Sequence, residues 1–374
     1  MATLNIVPRK DTKPCSEALQ NALDKVGYGL KYDTLSFNQG VYPVDLPLDL
    51  NSGTTITCTG EAVIKLIDKA PVNVWKSMIP IFGQSQKTVE NITFKDITFW
   101  GNDTKQLVGR GKGFHNFIFL QNAKNIIVSG IKVHDSNGDG LRVKNGNNIQ
   151  FHGNTVTRCG HDGLYVDGGT NVKALNNVVQ LRTNSALRLR TVTNGLLQGN
   201  TVTNQLGSIS SGPGIQIENP AKKTSSNILI QNNVLKNVNG PGIWAIGVGN
   251  TNKNAATGLT IQNNIFESCG LEPAAVKVPG VGGIVADGID KLSVVNNRFK
   301  NCRGYAVLFG KFKAVSSGRG YNAVVKNNTI QGTKKAYYSG TASGTAICNL
   351  LGSKYSVSCA RNIMSGNVRD YYGV

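Results

Sequence analysis

Between His134 and Arg142 the chain reads HDSNGDGLR, with Asp135, Asn137 and Asp139 on every second residue and Gly140 next. Oxygen ligands at that spacing open a calcium loop, because a hard cation takes carboxylate and amide oxygens. The loop pattern then requires a bidentate Glu at its twelfth position, and Gly146 stands there. A second acidic turn, GHDG, follows, with His161 beside Asp162. Two carboxylates on adjoining segments can act as general acid and base, or together hold a cation such as Ca²⁺. A neighbouring imidazole can carry a proton near neutral pH. Basic side chains crowd the same region: Arg142, Lys144, Arg188 and Arg190.

The elements that position these residues repeat. NIIVSGIKVHDSNGDGLRVKNGN from Asn125, NIQFHGNTVTRCGHDGLYVDGGT from Asn148 and NVKALNNVVQLRTNSALRLRTVT from Asn171 begin 23 residues apart. Gly140, Gly163 and Ala186 share one register position, and Gly130, Gly153 and Asn176 share another. Later units such as NILIQNNVLKNVNG, GLTIQNNIFESCG, KLSVVNNRFKNC and NAVVKNNTIQG keep the pattern of strand, Asn turn and second strand. Insertions such as QLGSISSGPG, AKKTSS and GVGNTNKNAATG lengthen the spacing. One such unit cannot bury its apolar face alone, so the units must stack. A period in the low twenties with strands and no helix predicts a single-stranded parallel β-helix. Its coils lie ~4.8 Å apart.

That register sorts side chains by face. Leu141 and Val143, Leu164 and Val166, and Leu187 and Leu189 are expected in the core, which turns their alternates outward. One outward column reads Phe119, Arg142, Tyr165, Arg188, Gln216 and Trp244; the next reads Gln121, Lys144, Asp167, Arg190 and Glu218. Asn116, Asp139, Asp162 and Ser185 fall at the turn before the strand. The expectation is an exposed binding surface, where Phe119, Tyr165 and Trp244 stack on sugar rings and the cations meet carboxylates. Asp139, Asp162, His161, Tyr165, Lys144 and Arg188 are the catalytic candidates. Arg142, Asp167, Arg190, Gln216 and Glu218 join the aromatics as substrate contacts. Asp135 aligns with Arg158 and Leu181, which argues against a loop built around a cation.

Composition agrees with this picture. Lys and Arg outnumber Asp and Glu by 40 to 21 in 374 residues, a net charge of +19 that favours an anionic partner. No recognised nucleic-acid module occurs, and no apolar run can span a bilayer or mark a signal peptide. Oligomeric state is not encoded in any residue, although trimers are common among spike-type β-helices. The seven cysteines lack zinc spacing. Cys159, Cys269 and Cys302 each follow an aligned Asn by five residues, so they form an inward column of stacked thiols, or a Cys269–Cys302 disulfide. Cys348 with Cys359, and Cys15 with Cys58, are further possible pairs. SEALQNALDKVG puts Leu19, Ala22, Leu23 and Val26 on one face of a short capping helix, within residues 15–30. The coils are expected over residues 31–333 and a C-terminal cap over 334–374, all in one domain.

The amphipathic cap, the VYPVDLPLDLNSGTTITCTG opening and the NN-turn coils resemble the pectate-lyase-like right-handed parallel β-helix superfamily over residues 15–330. That superfamily holds polysaccharide lyases, polygalacturonase-type hydrolases, mannuronan epimerases, phage tailspikes and adhesins. The resemblance implies an extracellular, virion or cell-surface protein acting on an acidic polysaccharide. NGDG and HDG resemble the NTD and DD positions of polygalacturonases, which carries catalytic aspartates over to Asp139 and Asp162. Asn184-Ser185-Ala186 replaces that family's His-Gly coil, however, and Arg188-Leu189-Arg190 only echoes its RIK motif. GHDGLYVDG resembles a coil of the mannuronan epimerases, whose DPH motif is absent. The cation cluster favours β-elimination, in which a cation neutralises a uronate carboxylate while a base removes the proton beside it. Hydrolysis by paired aspartates, uronate epimerisation through the same first step, and non-catalytic glycan binding are the alternatives.

Overall fold

Many turns of the described chain are made by a residue that accepts a left-handed backbone. Gly130 and Gly153 take φ of 63° and Asn176 takes 54°, so the aligned Gly/Asn column marks one conformational requirement. Glycine meets it without steric cost, and asparagine tolerates it. The computed structural model describes residues 2–11, 13–71, 80–107, 116–205, 212–219, 224–247, 256–271, 281–310, 321–336 and 342–374. The three inserted stretches fall largely outside these residues.

The strands form a parallel β-helix whose coils cluster into two units, Met1–Val179 and Gln180–Val374. In the first, strands Asn116–Gln121, Leu141–His152 and Leu164–Leu175 stack in parallel. Arg142 lies between Phe119 and Tyr165, and Lys144 between Gln121 and Asp167, in the predicted register. Leu141, Val143, Ile149 and Phe151 are buried with their counterparts on neighbouring coils. Small residues are required at Gly140, where an added Cβ would lie 2.6 Å from the Gly163 carbonyl oxygen and 3.2 Å from the Cys159 sulfur. The helix Ser16–Leu23 buries Leu19, Ala22 and Leu23. Before it, strand Thr3–Ile6, not expected from the sequence, pairs with Thr34–Phe37.

The second unit is held by a file of buried asparagines. Asn264 Nδ2 donates to the Ile230 carbonyl at 2.9 Å, and its Oδ1 accepts from the Asn233 backbone N–H at 2.9 Å. Asn233, Asn297 and Asn328 repeat the arrangement, satisfying backbone groups that the turn would otherwise orphan. The last residues differ from expectation. Thr345–Asn349, Tyr355–Ala360, Ile363–Ser365 and Arg369–Tyr372 pair in parallel with earlier coils where a cap was predicted. Asn362 continues the asparagine file there, 34 residues after Asn328.

All seven cysteines are free. Cys159, Cys269 and Cys302 are buried, and the Cys269 and Cys302 thiols are hydrogen-bonded to each other. The other suggested pairs do not form, since Cys15 and Cys58 donate instead to the carbonyls of Pro43 and Asp96.

Candidate functional site

The turns that enter successive strands of the first unit bring Asp139, His161 and Asp162 together. Asp139 and Asp162 are fully buried, while the His161 side chain is 28% exposed. His161 Nδ1 lies 2.6 Å from Asp139 Oδ1 and 3.3 Å from Asp162 Oδ2. An ionised carboxylate can only accept, so Nδ1 carries a proton, and in the neutral imidazole Nε2 then keeps its lone pair. Asp139 Oδ1 also accepts the Asp162 backbone N–H at 2.9 Å, and its own N–H donates to Asn116 Oδ1 at 2.8 Å. The buried carboxylate thus fixes both the orientation and the tautomer of a partly exposed imidazole.

Arg142 completes this arrangement from beneath. Its Nη1 is 3.3 Å from Asp139 Oδ2 and its Nη2 is 3.8 Å from Asp167 Oδ2. The guanidinium lies over the Phe119 ring at 5.1 Å and the Tyr165 ring at 4.7 Å. This corrects the expected role of the two aromatics. They do flank Arg142 in the outward column, but Phe119 is 8% exposed and Tyr165 3%, with the guanidinium lying over each ring. They are closed to a sugar ring. The aspartate pair needs the same correction: neither carboxyl is an exposed acid or base. Lys144 is half-exposed on the same face and makes no ion pair among the described residues.

Asp135 is committed elsewhere. Burial raises its pKa, but Arg158, at 2.7 Å from Nη2 to Oδ2, and His134, at 2.9 Å, hold it well below the usual carboxylate range. The alternate-residue calcium loop is therefore an ion pair between coils. His134 also stacks on Trp100, with ring centroids 5.7 Å apart.

A sequence profile described as "right handed beta helix region" matches residues 77–253 and 116–299, more than half of the 374 residues. The chain belongs to the right-handed β-helix family. A second profile, described as disaggregatase related, matches residues 225–374. No curated protein sequence matches the chain. Solved structures share the fold. The A-module of an Azotobacter vinelandii mannuronan C-5 epimerase has a TM-score of 0.63 at 16% identity, covering 96% of this chain and 93% of that one. Endopolygalacturonase I from Stereum purpureum has a TM-score of 0.60 at 16% identity, covering 96% and 100%. PfbA, a surface adhesin of Streptococcus pneumoniae, has 0.55 at 14%, covering 96% and 90%.

Within this right-handed β-helix the remaining candidates form a group in the second unit. Arg188 donates through Nε and Nη2 to Glu218 Oε2, at 3.2 and 2.5 Å. Gln216, expected at the surface, is 6% exposed and accepts from the Ser185 hydroxyl at 2.7 Å. Arg190 is half-buried and lies opposite Glu218 in the strand register. Trp244 is half-buried beside Gln216, packed against Val285, Leu308 and Cys348. The sequence placed Asn116 in the turn column without its role, which only the 2.8 Å bond to the Asp139 amide reveals. Among the described residues no helix is long and apolar enough to cross a membrane.

Proposed function

We propose that the protein is a carbohydrate-active enzyme that cleaves a uronic-acid-containing polysaccharide by β-elimination, with His161 as proton carrier. The observation that carries this reading is the contact of His161 Nδ1 with the buried Asp139 carboxylate at 2.6 Å. A bonded Nδ1–H leaves Nε2 able to take the proton beside the substrate carboxylate. That carbon–hydrogen bond breaks, a carbon–carbon double bond forms, and the glycosidic oxygen departs from the adjacent carbon. The imidazolium then returns the proton to the departing oxygen. Lys144, half-exposed and without an anionic partner among the described residues, neutralises the substrate carboxylate and the charge that develops on it. Arg142 acts through Asp139 and is a positioning residue.

Hydrolysis by paired carboxylates is less well supported. Asp139 and Asp162 are buried and both carboxyls face His161 Nδ1, whereas a glycosidase needs two carboxyls that reach opposite sides of the scissile bond. The fold is shared with polysaccharide-acting enzymes and with an adhesin, so the reaction is argued from the site. A polyuronate substrate and the net charge of +19 suit an enzyme acting outside the cell or on a virion. The test is incubation with a panel of polyuronates, following both the ultraviolet band of unsaturated uronate and new reducing ends. Elimination produces both signals together. Reducing ends without the band indicate hydrolysis, and neither signal with retained glycan binding indicates an adhesin.

A further inference from the structure

We propose that Asp139, His161 and Asp162 form a binding site for a transition-metal dication of the Zn²⁺ class, and that the bound ion inhibits the protein. One ligand atom from each side chain lies within 4.8 Å of the other two. His161 Nδ1 faces both carboxylates, at 2.6 and 3.3 Å, so a single point between them is within reach of one nitrogen and two oxygens. Zn–N and Zn–O bonds of about 2.0–2.2 Å need only a small outward shift of the imidazole. That ring is the partly exposed member, 28% accessible against two buried carboxyls, so it provides the entry path and leaves one coordination position to water.

The donor set selects the metal. Ca²⁺ takes about six to eight oxygens, whereas this cluster offers two carboxylates and one nitrogen, with the Arg142 cation 3.3 Å from one of them. Imidazole with carboxylate suits Zn²⁺, Co²⁺, Ni²⁺ and Cu²⁺ instead. Binding requires the Nδ1 lone pair, so the proton of the neutral imidazole moves from Nδ1 to Nε2, and the Asp139–His161 hydrogen bond is replaced by two metal–ligand bonds. The Nε2 that the proposed reaction uses as a base then carries a proton and has no lone pair to offer. The site itself stands on geometry alone; only the inhibition rests on the proposed reaction.

The full-length protein titrated with Co²⁺ reads the site directly through visible absorbance. We expect a saturable band at one equivalent that Zn²⁺ displaces and excess Ca²⁺ does not. The band should be lost in His161→Gln and in Asp162→Asn, each checked for native circular dichroism; if one variant misfolds, the other decides. Absence of a band, a band retained in both folded variants, or displacement by Ca²⁺ overturns the proposal. Zn²⁺-saturated protein that still turns over polyuronate overturns the inhibition and removes His161 from catalysis, while the Co²⁺ band alone decides the site.

Discussion

Replacing Arg142 by Met takes the cation away from a carboxylate that has no exposure to water. Removing one partner of a buried pair costs about 3–5 kcal/mol. The 3.3 Å separation from Asp139 is long for a charge-assisted bond, and His161 remains beside the same carboxylate, so the lower end applies. The guanidinium also lies within 5.1 Å of the Phe119 and Tyr165 ring centres, contacts worth about 0.5–1 kcal/mol each that Met keeps only in part. The expected total is about 4 kcal/mol. Phe119→Leu leaves the ion pair and should cost about 1–2 kcal/mol. Reversible urea unfolding followed by intrinsic fluorescence compares the two variants with the parent. A loss below about 1 kcal/mol for Arg142→Met, or equal losses for both variants, would refute the assignment of Arg142 as the strut under Asp139.

Three further outcomes follow from the coils. Asn264→Ala strips the Asn233 backbone N–H of its buried acceptor and the Ile230 carbonyl of a donor, for an expected loss of about 3 kcal/mol, whereas a surface asparagine such as Asn147 should change stability by less than about 0.5 kcal/mol. Asp135 has a depressed folded-state pKa, so its stabilisation is complete above the unfolded value of about 3.9 and fades as pH falls toward the folded one. Arg158→Met should move the acid limb of the unfolding curve to higher pH, and an unmoved limb would deny the ion pair a role. Burial pushes the Cys159 thiol well above the ordinary thiol range, and the neighbouring Cys302 thiol together with burial does the same for Cys269, so a thiol reagent should label the half-buried Cys58 and Cys359 first, and all seven only after unfolding. Rapid native-state labelling of Cys269 contradicts their burial.

The stacking was legible because it is a property of spacing. Arg142 over Phe119 and under Tyr165 follows from the 23-residue frame, and the buried cysteines and turn asparagines from the strand–Asn–strand pattern that persists where the spacing stretches. What covers an outward side chain is not a property of spacing. Phe119 and Tyr165 stood in the right column, yet both are buried with the guanidinium lying over their rings, a side-chain conformation that no register specifies. The contact of His161 with Asp139 joins one coil to the preceding residue's register slot on the next, so an alignment that pairs Asp139 with Asp162 passes over it. The final coils were missed because Arg361 takes the left-handed position that Asn263, Asn296 and Asn327 hold on earlier coils, so the Asn-Asn pair that marks those coils is broken before Asn362.

The central claim is that a buried aspartate holds a histidine in its working tautomer. Steady-state formation of unsaturated uronate by Asp139→Asn, in a variant with native circular dichroism, tests it most directly. The account predicts a fall in kcat of about 100- to 10,000-fold with KM little changed, since the amide can donate to Nδ1 and favour the wrong tautomer. A variant that keeps kcat within a few-fold of the parent would contradict it.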